Sequence, residues 1–562
     1  MVNLRGRHSR TRRGAPARRT PAACSAALAA VVFVQGALWV PQVVGQDDPG
    51  NQFRTSDRCI ACHQGVTASQ GTDVSIGLDW AASMMANSAR DPYFQAAVRR
   101  EIMDYPGAAP EIEAECARCH MPMATVAAME GGLPGEVFAN LPVGHAGGPH
   151  ADLAADGVSC SLCHQVLPDG LGTEESFTAR FQIAPDDLPD RKVFGPFEPD
   201  PGGAGIMHSA TGFVPAHGAH VTSSGLCASC HTVITHSVRP DGRGPSFPEQ
   251  APFLEWRASA YADGGVNASS CQDCHMPVVG EDVPVTRVLG QARPDVSRHV
   301  FRGGNFFMLA MLNRYRNELG VTALPAALEL AAARTADHLR TETATIGIGD
   351  VRVESGSLGA TVTVSNLAGH KFPTGYPSRR AWVRFVVWDA QGRRVFESGA
   401  LNPDGSIAGD DNDADGSRHE PHHEVISSPE EVQVYQAVMV DGGGNVTTGL
   451  MSAETWVKDN RILPEGFDFA GADPRVLPVG GAGSDGDFSA GSDRVRYAVA
   501  VDEQAGPFTL EAELWFQPIA HRWAEELATY DAFETERFLR YYRDMAPASA
   551  LRLVRAVAEA GG

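Results

Sequence analysis

Hydrophobic and polar positions change rhythm four times along the 562 residues. Residues 1–20 are polar and Arg-rich, an apolar run follows over 22–40, and Val43, Val44 and Gly45 precede Gln46. Basic, then apolar, then small is the order of a secretory signal, so residues 1–46 are read as a leader. An uncleaved anchor is the alternative, because the run approaches the length of a short membrane span. From 47 to 302 no period holds for long. Gly and Pro interrupt the chain there, and only short helices are expected. Between 303 and 346 the spacing turns helical, with Phe306, Phe307, Ala310 and Met311 on one face and an Ala-rich run over 323–343. Alternation of period two takes over at 360–365, 381–388, 432–440, 494–502 and 508–517. No helices interleave, which predicts an antiparallel β-sandwich over 347–518. Residues 519–562 are expected to be helical, since Trp523, Leu527, Tyr530, Phe538, Tyr541 and Tyr542 recur at helix-like intervals. The predicted fold class is multidomain α+β: a segment of short helices with little regular structure, bridging helices, a β-sandwich and a helical end.

Chemistry accounts for the irregular stretch. Residues 47–302 hold five copies of Cys-x-x-Cys-His: Cys59-Cys62-His63, Cys116-Cys119-His120, Cys160-Cys163-His164, Cys227-Cys230-His231 and Cys271-Cys274-His275. In this motif two thiols add across the vinyl groups of a haem, and the His supplies a ring nitrogen to the iron. Cys-x-x-Cys alone also builds zinc sites and redox dithiols. Five copies, each followed at once by His, favour five covalently held c-type haems, which would supply much of the apolar core of this segment. The intervals between first cysteines, 57, 44, 67 and 44 residues, hint at a duplication. Cys-His-Met-Pro falls at His120 and His275, out of register with that repeat.

Composition changes the picture in two ways. Ten of the 11 Cys lie in the motifs and Cys24 falls in the leader, so no pair remains for a disulfide framework. Formal net charge is −22; removing the seven Arg that precede residue 20 leaves −22 − 7 = −29. Such a surface repels nucleic acid and anionic lipid, and steers a basic redox partner towards it. Haem attachment to this motif takes place outside the cytoplasm, which agrees with a periplasmic or other extracytoplasmic location.

Each iron also needs a sixth ligand, and His145, His150, His208, His217, His220, His236, His299 and His370 lie within or near the segment. These candidates outnumber the irons, which favours closed, electron-carrying centres. Several strings extend the reading: WAASMMANSARDPYF (80–94), IMHSATGFVPAHGAHVTSSGLCASCHT (206–232), FPEQAPFLEWRASAY (247–261), RHVFRGGNFFMLAML (298–312), GHKFPTGYPSRRAW (369–382) and KDNRILPEGF (458–467). By them the chain resembles the pentahaem members of the multihaem c-type cytochrome family that carry a carboxy-terminal β domain. These are distant relatives of the group that includes hydroxylamine oxidoreductase and cytochrome c nitrite reductase. The resemblance implies distal ligation by His208, His220, His299 and His370. Related cytochromes carry Trp-x-x-Ser-x-His after the first haem. Here Trp80-x-x-Ser83 leads to Met85, which implies either a His/Met centre or a Met packed against porphyrin. His145 and His150 precede the third motif and are interchangeable as distal candidates.

The loop over 409–416 carries Asp411, Asp413 and Asp415 in alternation, resembling the opening of a calcium loop. Its twelfth position is His422 rather than Glu, which favours a solvated acidic loop. His419, His422 and His423 cluster nearby. No Ser/His/Asp set, nucleotide loop or paired catalytic carboxylate stands out, and no motif has Lys in place of its His. The reading is an exported carrier that passes single electrons between haems. The alternative is an oxidoreductase acting on a small nitrogen or sulfur compound at one open haem.

Overall fold

A computed structural model of the chain describes residues 52–184 and 191–561. The leader reading and Cys24 lie outside the described residues. Helices mix with several sheets, an α+β arrangement. Among the described residues no helix is long and apolar enough to cross a membrane.

The amino-terminal half is built from short helices, and most of the motifs ride on them. Ala109–His120 ends on the second motif, Cys160–Cys163 carries the third pair of thiols, Ser224–His231 ends on the fourth, and Cys271–His275 is the fifth itself. A helical turn places residues i, i+3 and i+4 on one face, so both sulfurs and the following His leave the backbone together. Caps explain where these helices start. Ser270 and Asp273 form a reciprocal capping box, and Asp91 accepts from the Tyr93 and Phe94 amides ahead of the helix Pro92–Asp104.

Helices Phe306–Arg314 and Pro325–Glu342 lead into the β half, ending a few residues short of the predicted 346. There Val425–Ile426, Ser492–Ala500, Ser357–Asn366 and Ala344–Glu354 form one sheet in that order. A second sheet runs Val446–Thr447, Val434–Val440, Arg380–Trp388, Phe508–Gln517, Leu551–Ala560, with Arg394–Ser398 and Thr455–Asp459 added at its strands. One cluster gathers Val362, Val364, Val495 and Tyr497 from the first sheet with Val383, Phe385, Leu510 and Leu514 from the second. Phe385 stacks on Tyr497 with ring centres 4.0 Å apart.

The central strands Arg380–Trp388 and Phe508–Gln517 are buried on both faces, because the second sheet is also covered on its far side. Trp382 lies directly opposite Trp515 across the ladder, 6.0 Å apart, and packs with Ile407, Val432 and Val434. Charges buried there are paired: Arg380 forks onto Asp413 (2.9 and 2.8 Å) and reaches Asp410 (2.7 Å).

The helical expectation for 519–562 is corrected at its end. His521–Glu525 and Phe533–Met545 are helices, but Leu551–Ala560 is a strand paired with Phe508–Gln517. Its Ala-rich sequence is neutral about its own conformation. Arg552 bonds Glu513 at 2.6 Å and Arg555 bonds Glu511, both across the ladder, and these contacts exist only in the strand. The strand Ala344–Glu354, with Gly347, Gly349 and Asp350 breaking its alternation, was likewise not predicted; it is held by its hairpin partner Ser357–Asn366.

Phe385→Ala should cost about 3–5 kcal/mol through the cavity left between the sheets. Denaturant unfolding followed by near-ultraviolet dichroism checks this, and a loss below about 1 kcal/mol would contradict the shared core.

Candidate functional site

A cavity of about 1170 Å³ runs through the amino-terminal half and against the β half. All ten motif cysteines and all five motif histidines line it. The bridging helix Pro325–Glu342 faces it with Thr335, His338, Leu339 and Glu342, one helical stripe.

Backbone carbonyls set the imidazoles. Nδ1 of His63 meets the Val285 carbonyl at 2.8 Å, that of His120 meets Ser88 at 3.2 Å, His164 meets Phe194 at 2.5 Å and His275 meets Arg302 at 2.5 Å. Two histidines outside the motifs do the same, His299 to Ser297 (3.2 Å) and His370 to Lys371 (2.9 Å). A carbonyl can only accept, so Nδ1 carries the hydrogen and Nε2 is left bare, the form a metal ligand needs. Burial pulls His120 and His275 down to about 4 and His299 to about 3, and lowers His164, His231 and His370 as well, so these rings are neutral at pH 7.

Two pairs of these rings face each other. His164 and His299 have centres 6.3 Å apart at an interplanar angle of 22°, and His275 and His370 lie 6.2 Å apart at 11°. Two imidazoles sharing one metal ion through bonds of about 2.0–2.1 Å have ring centres about 6.4 Å apart. With Nδ1 of all four rings turned to backbone, the residues present fit a metal held between each pair. His338 is also 6.2 Å from His275, but crossed at 69° and 3.3 Å from Glu342.

The motifs neighbour one another in a definite order. The free thiols of Cys59 and Cys160, of Cys119 and Cys230, and of Cys227 and Cys271 lie within hydrogen-bonding reach of each other. Cys163 lies within charge range of Cys230. The histidines repeat three of these links, with His63 near His164, and His231 near both His120 and His275. The first motif thus adjoins the third, the third the fourth, and the fourth both the second and the fifth.

The remaining candidates lie elsewhere. Met85 lines the cavity among the residues packed around Phe94 and Leu153. His208 is exposed on the helix Pro201–Thr211, whose Met207 and Ala210 line the cavity. His220 turns Nε2 to the Val166 carbonyl at 2.9 Å, leaving Nδ1 bare instead. His145 is exposed and His150 half-buried ahead of the helix Ala151–Ala155, both outside the cavity lining.

The strings singled out in the sequence brace this arrangement. In 80–94, Ser88 Oγ donates to the His120 carbonyl at 2.8 Å and Phe94 stacks on the His120 ring at 3.6 Å. Trp80 Nε1 bonds the Val158 carbonyl at 2.9 Å, and Gly157 (φ +63) must lack a Cβ, which would sit 2.7 Å from the Met85 oxygen. Three further strings meet in one buried cluster behind His370. Lys371 Nζ bonds Asp459 at 2.6 Å, Arg461 bonds the same carboxylate at 2.8 and 2.9 Å, and Glu255 takes Arg461 (2.9 Å) and the Thr374 hydroxyl (2.5 Å). Burial alone would raise the Asp459 carboxyl, but Arg461 and Lys371 outweigh it and hold it at about 2.

The acidic loop has protein partners. Asp411 bonds Arg418 at 2.5 Å, Asp413 is forked by Arg380, and Asp415 accepts from the Ser417 amide and hydroxyl. His423 pairs with Glu420 at 2.6 Å. His422, Asp485 and Asp493 bring donor atoms within 4.8 Å of one another. The amides argue against a metal there. Gln433 Oε1 accepts the His423 amide, so its Nε2 donates to His422 Nδ1 (2.9 Å), and Asn460 Nδ2 donates to the same nitrogen (3.1 Å). The hydrogen of His422 is therefore on Nε2, donated to Asp485 at 2.9 Å, and the cluster is polar core.

No family model matches the chain, and no curated protein matches it. Among solved structures, the crystal structure of a penta-heme cytochrome c552 from Thermochromatium tepidum is similar, at 15% identity and a TM-score of 0.49, covering 90% of this chain and 99% of that one.

Asp459→Asn should cost about 3–5 kcal/mol at neutral pH by leaving Lys371 and Arg461 buried without their counter-charge. A carboxyl held low in the folded state stabilises above its unfolded value of about 3.9 and loses that effect as pH falls towards the folded one. The stability gap between wild type and variant should therefore be level above about pH 5 and shrink between about pH 4 and pH 2. A gap independent of pH across that window would contradict the assigned pairing.

Proposed function

We propose that the chain is an exported multihaem c-type cytochrome that carries electrons, with five haems held by Cys59, Cys62, Cys116, Cys119, Cys160, Cys163, Cys227, Cys230, Cys271 and Cys274. The observation that carries this reading is the single cavity onto which all fifteen motif residues open, with the first motif against the third and the fourth against the second and the fifth. Haem iron, when bound, supplies a one-electron couple whose potential follows axial ligand, burial and nearby charge. The chain's own part is placement. His63, His120, His164, His231 and His275 are the proximal ligands; His299 and His370 are the distal ligands of the third and fifth centres, and their backbone bonds hold Nε2 towards the cavity. The sheets, read as a β-sandwich, hold the His370 loop against the fifth motif through Lys371, Asp459, Arg461 and Glu255.

Electrons leave or enter at the fifth motif. Cys274 is exposed, unlike the other nine motif thiols, which are at least partly covered. Exposed Asp273 lies near Cys274, Asp263 near Cys271 and Glu465 near Tyr261, and the exposed Val266 (90 %) and Val278 (51 %) flank the motif in sequence. An apolar spot in an acidic rim fits a basic redox protein, in keeping with the net charge of −22.

Exported protein should contain five haems per chain by pyridine haemochrome and intact mass, and free thiols at the five motifs would overturn the reading. Reduction by a basic donor such as a mitochondrial-type cytochrome c should slow on the order of tenfold in Asp263→Lys/Asp273→Lys, and slow with added salt in the wild type. Stopped-flow rates indifferent to both would remove the fifth motif as the docking point.

A further inference from the structure

One charge facing the cavity has no role in the electron-carrier reading. Arg379 donates from Nη1 to the Thr374 carbonyl (2.8 Å) and from Nη2 to Asn305 Oδ1 (3.0 Å), both neutral acceptors. Among the described residues no carboxylate lies within ion-pair distance of it, whereas its neighbour Arg380 is bound by two. Arg379 lines the cavity, and its charge reaches both His231 and His370. Burial, with nothing to offset it, brings its guanidinium down to about 10. The fold leaves room around the group. Gly375 adopts φ +84, where a Cβ would come within 2.9 Å of Nη1, and a Cβ at Gly304 would stand 3.7 Å from Cζ. A half-buried cation facing a cavity is costly unless an anion joins it, and a guanidinium with three N–H donors to spare matches two oxygens sharing one negative charge.

We propose that Arg379 is the recognition residue of an internal anion site beside His231, taking a carboxylate or a small oxyanion. Two sources offer that chemistry: a carboxylate side arm of a porphyrin held by the motifs, or an oxyanion entering from solvent. Only the first rests on the haem reading. The two glycines and the two neutral acceptors hold the guanidinium in the cavity, and the missing counter-charge arrives with the ligand.

The test uses full-length exported wild type, Arg379→Gln and Arg379→Lys, each checked for haem content and thermal unfolding. Acetate, nitrite and sulfite are the added probes, read by visible spectrum and by the shift in melting temperature. A saturable response in the wild type that weakens at least tenfold in the Gln variant and partly survives in the Lys variant assigns the site to an entering anion. No response to added anions, but one redox component moved to lower potential in Arg379→Gln and restored in Arg379→Lys, assigns it to a resident carboxylate. A Gln variant with unchanged melting temperature, potentials and anion response overturns the proposal. Wild type without haem would sink the haem reading alone, since the melting shift with added anion still decides the site.

Discussion

A backbone carbonyl placed behind an imidazole decides which of its nitrogens is bare, and that choice organises this molecule. Six histidines spread along the chain, His63, His120, His164, His275, His299 and His370, are fixed this way. The carbonyls belong to residues as distant as Ser88, Phe194, Val285 and Arg302, so each ring is aimed by a different segment of backbone. This explains why a region with so little regular secondary structure is nonetheless specified: the loops are templates for side chains, and the cavity they enclose is the common target. Burial adds to the effect at His120, His164, His275, His299 and His370 by lowering their pKa and keeping those rings neutral, so their bare nitrogens are available at physiological pH.

The β half acts as a brace. It closes its own apolar core between two sheets, around Phe385 and Tyr497, and covers the outer face with Trp382 and Trp515. From that rigid base the loop carrying His370 reaches back to His275. The buried charges Lys371, Asp459, Arg461 and Glu255 tie the loop to a helix of the other half. Such a cluster stabilises little over an apolar substitute, but it tolerates only one arrangement, because any slip leaves a charge without its partner in a low dielectric. Its use here is register.

Local signals were legible in the sequence and remote ones were not. The five motifs are local, and most sit on helical turns where both thiols and the His share a face. The strand Phe508–Gln517 was readable from alternation to the residue, and Arg380–Trp388 nearly so. Leu551–Ala560 was read as helix because its strand character comes from Glu511 and Glu513 on a neighbour. His338 passed unnoticed in an Ala-rich helix, although its stripe with Thr335, Leu339 and Glu342 was available at spacings of three and four. Arg379 offers no signal in the sequence: its meaning lies in having no carboxylate beside it among the described residues, which only tertiary structure can tell. The string resemblances named stretches without saying why they matter, and the cluster at Glu255, Lys371, Asp459 and Arg461 supplies a reason for three of them.

The counterpart of His164 lies 299 − 164 = 135 residues further on, and that of His275 lies 370 − 275 = 95 further. A polypeptide emerging amino end first therefore presents His164 and His275 long before the rings that face them exist. Bringing ends so distant together carries a loop-closure cost that only later packing repays. On the proposed haem reading tethering can precede capping, and the fifth centre closes only once the loop carrying His370 has been made. A chain stalled before residue 370 would carry every anchor and still hold an unfinished seat, which makes the β half the final checkpoint of assembly.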